Sequence, residues 1–175
     1  MATLNETSTR LSSGIQAPFF AVSVTKFAAM SICTLGIYEL YWFYKNWRLF
    51  KEREKLDIWP FWRAFFAFFF CYQCFSRIRA QALTGGLEHS LPAGPLAAGW
   101  IITSLLWRLP DPFWLVSMLA FLFLLPVQAL ANRVNATMAP GHDPNRRLSG
   151  WNIAAVAGGG IFFLLAVIGS FVPDT

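Results

Sequence analysis

Apolar residues in this chain gather into five runs separated by short polar or basic stretches. Four of them, residues 22–44, 91–109, 113–131 and 153–172, approach the roughly 17–25 residues that a helix needs to cross a hydrocarbon core. The Leu109-Pro110-Asp111-Pro112 step between the third and fourth runs is short and carries two prolines, which cannot continue a helix. It predicts a tight helical hairpin. The second run, residues 59–75, has a short unbroken core with Arg63 just inside its start. It is short for a span, yet apolar on every face, unlike a helix lying flat at the interface. A re-entrant or obliquely buried helix satisfies both facts.

Charge decides between five crossings and four. With five, the 14 Lys and Arg divide evenly between the two sides. If the second run does not cross, only Arg10, Lys26 and Arg108 lie opposite the rest. The positive-inside rule prefers that arrangement. The expected fold is therefore all-α and polytopic: four transmembrane helices plus one aromatic re-entrant or interfacial helix, with five spans as the alternative. Both termini are then expected outside, or only the N-terminus if all five runs cross. Residues 1–17 are polar and rich in Ser and Thr and read as a disordered tail before a single membrane domain, 18–175. They lack the pattern of a cleaved signal peptide, so the first run is expected to act as its own insertion signal.

Composition agrees. Of 175 residues, 56% are hydrophobic and 13% charged, where soluble domains carry about 25% charged. The net charge of +5 comes from residues flanking apolar runs. That favours anionic headgroups as partners over nucleic acid. Lys45, Arg48, Lys51, Arg53, Lys55, Arg146 and Arg147 form the expected basic lipid-facing surface.

The most distinctive stretch is Thr34-Leu-Gly-Ile-Tyr-Glu-Leu-Tyr-Trp-Phe-Tyr44, leading into Lys45-Asn46-Trp47. It passes from apolar residues through aromatics into positive charge, which is the depth order of a bilayer. With Thr25-Lys26 and Pro60-Phe-Trp-Arg-Ala64, it resembles a group of uncharacterised small bacterial multipass membrane proteins. The resemblance covers about a third of the chain. It implies a bacterial inner-membrane protein and carries over no catalytic residue.

Three intramembrane charges are candidates for function. Glu39 lies about 9 Å inside the Lys45 end of the first run, where a carboxylate needs a partner or a water path. It reads as a structural ion pair with Arg63 or, alternatively, as a proton or ion relay. Lys26, near the other end, is expected to snorkel to the headgroups. Cys71 and Cys74 have redox or zinc spacing but sit in a phenylalanine-rich run, which favours packing. His89 and His142 occupy turn-rich loops and read as solvated, and no metal or cofactor is expected. Gln128 and Asn132, at i and i+4, are placed to hydrogen-bond across the bundle, and Pro126 to kink the fourth helix. In the last run, Ala154/Gly158 and Ala155/Gly159, next to Gly160, form small-xxx-small pairs that permit close helix approach, within the protein or onto a partner.

The leading functional expectation is a non-enzymatic membrane protein, an accessory or assembly subunit acting through helix or lipid contacts. Two alternatives stand beside it: a small oligomeric transporter or channel using Glu39, and a membrane enzyme acting on lipid.

Overall fold

A computed structural model describes residues 16–87 and 91–171, and every regular element among them is helical. Ser23 opens α1 (Val24–Cys33), its hydroxyl accepting from the Lys26 amide as an N-cap does. The helix ends in a Schellman arrangement. The Gly36 N–H reaches the Ser31 carbonyl at 2.9 Å, and the Leu35 N–H reaches that of Ile32 at 3.2 Å. Leu35 and Gly36 hold φ of 51° and 84°, a region that glycine enters without steric cost. α2 (Ile37–Glu54) then begins, with Glu39 in its first turn and Lys51 and Arg53 in its last. That order of charge suits the helix dipole.

Side-chain contacts fix the direction of the turn. Phe27 packs on Tyr38 and Trp42 with ring centres 5.9 and 6.1 Å apart. Phe20 meets Tyr41 at 5.7 Å and Phe19 meets Phe50 at 5.8 Å. Arg53 donates to the Pro18 carbonyl at 2.9 Å. Residues 18–33 therefore run back along α2, and the expected single helix over 22–44 is instead a hairpin reversing at residues 34–36. Hydropathy alone cannot report this, because both arms of the hairpin are apolar.

The aromatic second run also divides. α3 (Pro60–Phe65) and α4 (Ala67–Thr84) are separated at Phe66, which leaves helical geometry at φ −93°, ψ 40°. Ala64, Ala67, Cys71, Cys74, Phe75 and Ile78 are buried, while Phe61, Phe65, Phe69 and Tyr72 are exposed. The run is apolar all round, but its small residues face inward with Phe75, while most of its rings face out. Its helix continues nine residues past the expected end.

α5 (Ala93–Leu105) leads through a 3₁₀ turn, Leu106–Arg108, into the tight turn at 109–112. A 3₁₀ segment, Phe113–Ala120, returns the chain into α6 (Phe121–Met138). The predicted hairpin is present, and its helices meet closely. A Cβ at Gly99 would collide with the Phe123 ring. α7 (Gly150–Gly169) starts at the N-cap Ser149 and has no buried residue. Two stretches, Phe113–Met138 and Gly150–Gly169, are long and apolar enough to cross a bilayer, each with mean hydropathy 2.1. Four spans are not established.

The bundle has two distinct ends. At one, Trp114 donates to the Ser170 hydroxyl at 2.9 Å, beside the turn that carries Arg108. At the other, Gln81 donates to the Met138 sulfur at 3.4 Å, Arg77 pairs with Glu54, and the arm at Pro18 meets Arg53.

Candidate functional site

The densest polar constellation is a comb of side-chain amides around the non-helical arm, residues 18–22. Such a segment has no ladder partner, so its buried backbone groups need side chains. Gln128, Asn132 and Asn135, at i, i+4 and i+7, share one face of α6 and supply them. The Gln128 amide nitrogen donates to the carbonyls of Phe20 (3.2 Å) and Val22 (3.0 Å), and its oxygen accepts from the Trp42 indole. Asn132 donates to the Val22 carbonyl at 2.8 Å. Asn135 accepts from the Phe19 N–H at 2.9 Å and donates to the Phe19 carbonyl at 3.0 Å. From α2, Asn46 accepts from the Phe20 N–H at 3.1 Å. The 139–149 loop adds Asn145, which donates to the Ala21 carbonyl at 3.1 Å. The sequence pointed to Gln128 and Asn132 but not to Asn135, Asn46 or Asn145. The continuation of the α6 stripe to Asn135 was the available signal.

Glu39 is 6% exposed and accepts from the Trp100 indole at 2.6 Å. Its expected partner, Arg63, lies elsewhere. Arg63 donates to Gln73 at 3.1 Å and stacks over Trp47 and Phe70 at 4.6 and 4.9 Å. The pairing fails because the hairpin puts Glu39 at its tip, against α5, while α3 packs on the basic half of α2. Lys26 does not snorkel outward either. It is 5% exposed, and its ammonium donates at 2.8 Å both to Asn145 Oδ1 and to the Arg147 carbonyl, tying α1 to the 139–149 loop.

The small residues of α7 separate into two faces. A Cβ at Gly159 would run into the Cys33 carbonyl, and one at Gly160 would lie 3.8 Å from the Cys33 sulfur. Ala155 packs against the core. Ala154 and Gly158 are exposed, and a Cβ at Gly158 meets nothing within 4 Å. The Ala155/Gly159 pair thus packs internally on α1, and the Ala154/Gly158 pair faces outward.

The basic residues cluster at the end where the arm begins. Lys45 sits 5.7 Å over the rings of both Phe20 and Tyr41. Lys51 donates to the Ile58 carbonyl at 2.9 Å, and Arg48 pairs with Glu52 at 3.4 Å. Lys55, Arg146 and Arg147 are exposed. Arg146 borders a cavity of about 580 Å³ with Ser23, Asn132 and His142. His142 Nδ1 lies 2.9 Å from the Ala139 carbonyl. His89 lies outside the described residues.

Cys71 and Cys74 are free and buried in α4, as packing residues are. Among the described residues no three His, Cys, Asp or Glu gather as metal ligands. The arrangement can hold an arm in place, seat a carboxylate beneath an indole and present charge to headgroups. Compared with family models, with curated proteins and with solved structures, the chain has no match.

Proposed function

We propose that this is a non-enzymatic integral protein of a bacterial inner membrane, an accessory or assembly subunit acting through contacts with lipid and neighbouring helices. The observation that carries the reading is the division of charge: Lys26 bonds the loop of Asn145 and Arg147, Arg53 bonds the Pro18 carbonyl and Arg77 pairs with Glu54, all toward the end where the arm begins, while Arg108 lies at the other. By the positive-inside rule that end faces the cytoplasm. The bilayer is then crossed three times, by α5 with its 3₁₀ turn, by 113–138 and by α7. α5 and the turn together rise about 26 Å, close to a hydrocarbon thickness.

The α1–α2 hairpin dips in from the cytoplasmic side and reverses beside Gly159, midway along α7. Irregular backbone is tolerated at such depth when its own groups satisfy it, as the Schellman bonds do here. The arm therefore lies inside and the C-terminal end of α7 outside, in place of both termini outside. Glu39, enclosed under Trp100, then acts as a structural lock on the hairpin tip.

Native mass spectrometry of protein extracted from its own membrane tests the reading. Retained phospholipid or a stoichiometric membrane-protein partner is the expected result. Proton or ion flux in liposomes that Glu39→Gln abolishes in a folded protein would overturn it in favour of a transporter.

A further inference from the structure

Beside the connection between α2 and α3 lies an open groove of about 510 Å³, lined by Asp57, Trp59, Trp62, Arg63, Phe66 and Phe70. We infer that this groove binds one zwitterionic phospholipid, with its phosphate on Arg63, its ammonium group at Asp57 and its acyl chain along Phe66 and Phe70. The inference rests on the membrane reading above, which puts the groove at headgroup level on the cytoplasmic side.

Arg63 is prepared for an oxyanion. Two ring stacks and the bond to Gln73 hold its guanidinium, and Gln73 takes one of its five N–H donors. The others have no protein acceptor among the described residues. A planar fork held in this way matches a phosphate, and the ring contacts fix its orientation in advance. Trp59 and Trp62 are 72% and 50% exposed at the rim, the place in a bilayer where amphipathic rings settle.

Asp57 sets the headgroup. It is exposed and makes no ion pair among the described residues, although Lys51 bonds the adjacent Ile58 carbonyl. A lone carboxylate among tryptophans attracts an ammonium group, through charge and through the ring faces, and repels an anionic headgroup. Elsewhere at this end Lys and Arg outnumber the carboxylates, of which Glu52 and Glu54 are paired, and draw anionic lipid, so the groove is a local exception.

The test is lipid retention by the full chain in native mass spectrometry. After delipidation, the protein is exposed to phosphoethanolamine- or phosphoglycerol-headed lipids with identical acyl chains. The wild type should retain one phosphoethanolamine lipid. Arg63→Gln should reduce that retention about tenfold, the scale of one charge-assisted contact. Arg63→Lys should fall between the two. Asp57→Asn, at an exposed position that leaves folding intact, should abolish the preference for phosphoethanolamine over phosphoglycerol. Unchanged retention in Arg63→Gln, or an unchanged preference in Asp57→Asn, overturns the assignment. If those variants are silent while Arg146→Gln with Arg147→Gln lowers phosphoglycerol retention, the groove assignment falls and the broader lipid-contact reading stands.

Discussion

The Asn135 amide bonds both backbone groups of Phe19, accepting from its N–H and donating to its carbonyl, so that one side chain takes the place of a neighbouring strand. Both residues are fully buried. Asn135→Leu leaves an N–H and a carbonyl unpaired in the core, at about 1–3 kcal/mol each. Relaxation of the arm offsets part of that cost, and a loss of about 2–4 kcal/mol is expected in denaturant unfolding in detergent. Protease cleavage near residues 16–22 should rise in parallel. Asn135→Asp keeps the acceptor but sets an oxygen against the Phe19 carbonyl, so it should rescue little. Wild-type stability in either variant would mean that the Asn135 bonds contribute nothing and that the remaining amides and the ring contacts hold the arm.

The Glu39–Trp100 bond ties the hairpin tip to α5. Trp100→Phe removes the donor and keeps most of the ring packing on Phe43 and Phe68. A destabilisation of about 1–3 kcal/mol is expected, the cost of leaving a buried acceptor without its donor. Glu39→Gln retains an acceptor and should cost less. A double-mutant cycle of Trp100→Phe with Glu39→Leu, which removes the acceptor, separates the shared term from the effects of each substitution in detergent unfolding. Additive losses would show that the two residues do not act together.

These two relationships differ in how far the sequence discloses them. The apolar runs at 113–131 and 153–172 locate α6 and α7 because one long apolar segment leaves little choice but a long helix. The run at 22–44 misleads, since hydropathy carries no direction and both arms of the hairpin are equally apolar. Its reversal was nonetheless written in Thr34-Leu-Gly36, a glycine where a helix end needs positive φ. The Glu39 partner was out of reach. Choosing Trp100 over Arg63 depends on where α5 falls relative to a hairpin tip that hydropathy does not reveal. The stripe of Gln128, Asn132 and Asn135 was legible as a polar face on α6, but not its occupant, because residues 18–21 fall between the polar tail and the first apolar run, where the pattern predicts no element.

The two faces of α7 predict opposite behaviour for adjacent glycines. Gly159→Leu forces a side chain into the Cys33 carbonyl and should separate α7 from α1, while Gly158→Leu enters open space and should leave the fold unchanged. Oxidative crosslinking reads this directly. Gly160→Cys is placed to form a disulfide with Cys33, whose sulfur lies 3.8 Å from the position of the added Cβ. Adding Gly159→Leu should abolish that crosslink, and adding Gly158→Leu should spare it. Loss of a partner complex in Gly158→Leu alone, with the crosslink intact, would identify the Ala154/Gly158 face as the surface offered to another helix.

The charge division predicts sidedness. Single cysteines at Gln16 and Ser149 mark the basic end, and one at Asp111 marks the turn at the other end. In intact cells, an impermeant thiol reagent should label Asp111→Cys and spare the other two until the membrane is opened. All three backgrounds carry Cys33, Cys71 and Cys74, so the unsubstituted protein sets the baseline. A straight first helix over residues 22–44 would expose Gln16→Cys on the same side as Asp111→Cys, whereas the hairpin requires it to follow Ser149→Cys. Gln16 is therefore the deciding position: its label reports whether the chain turns back at Gly36 within the membrane, and with it whether the arm and its amide comb lie at the cytoplasmic face.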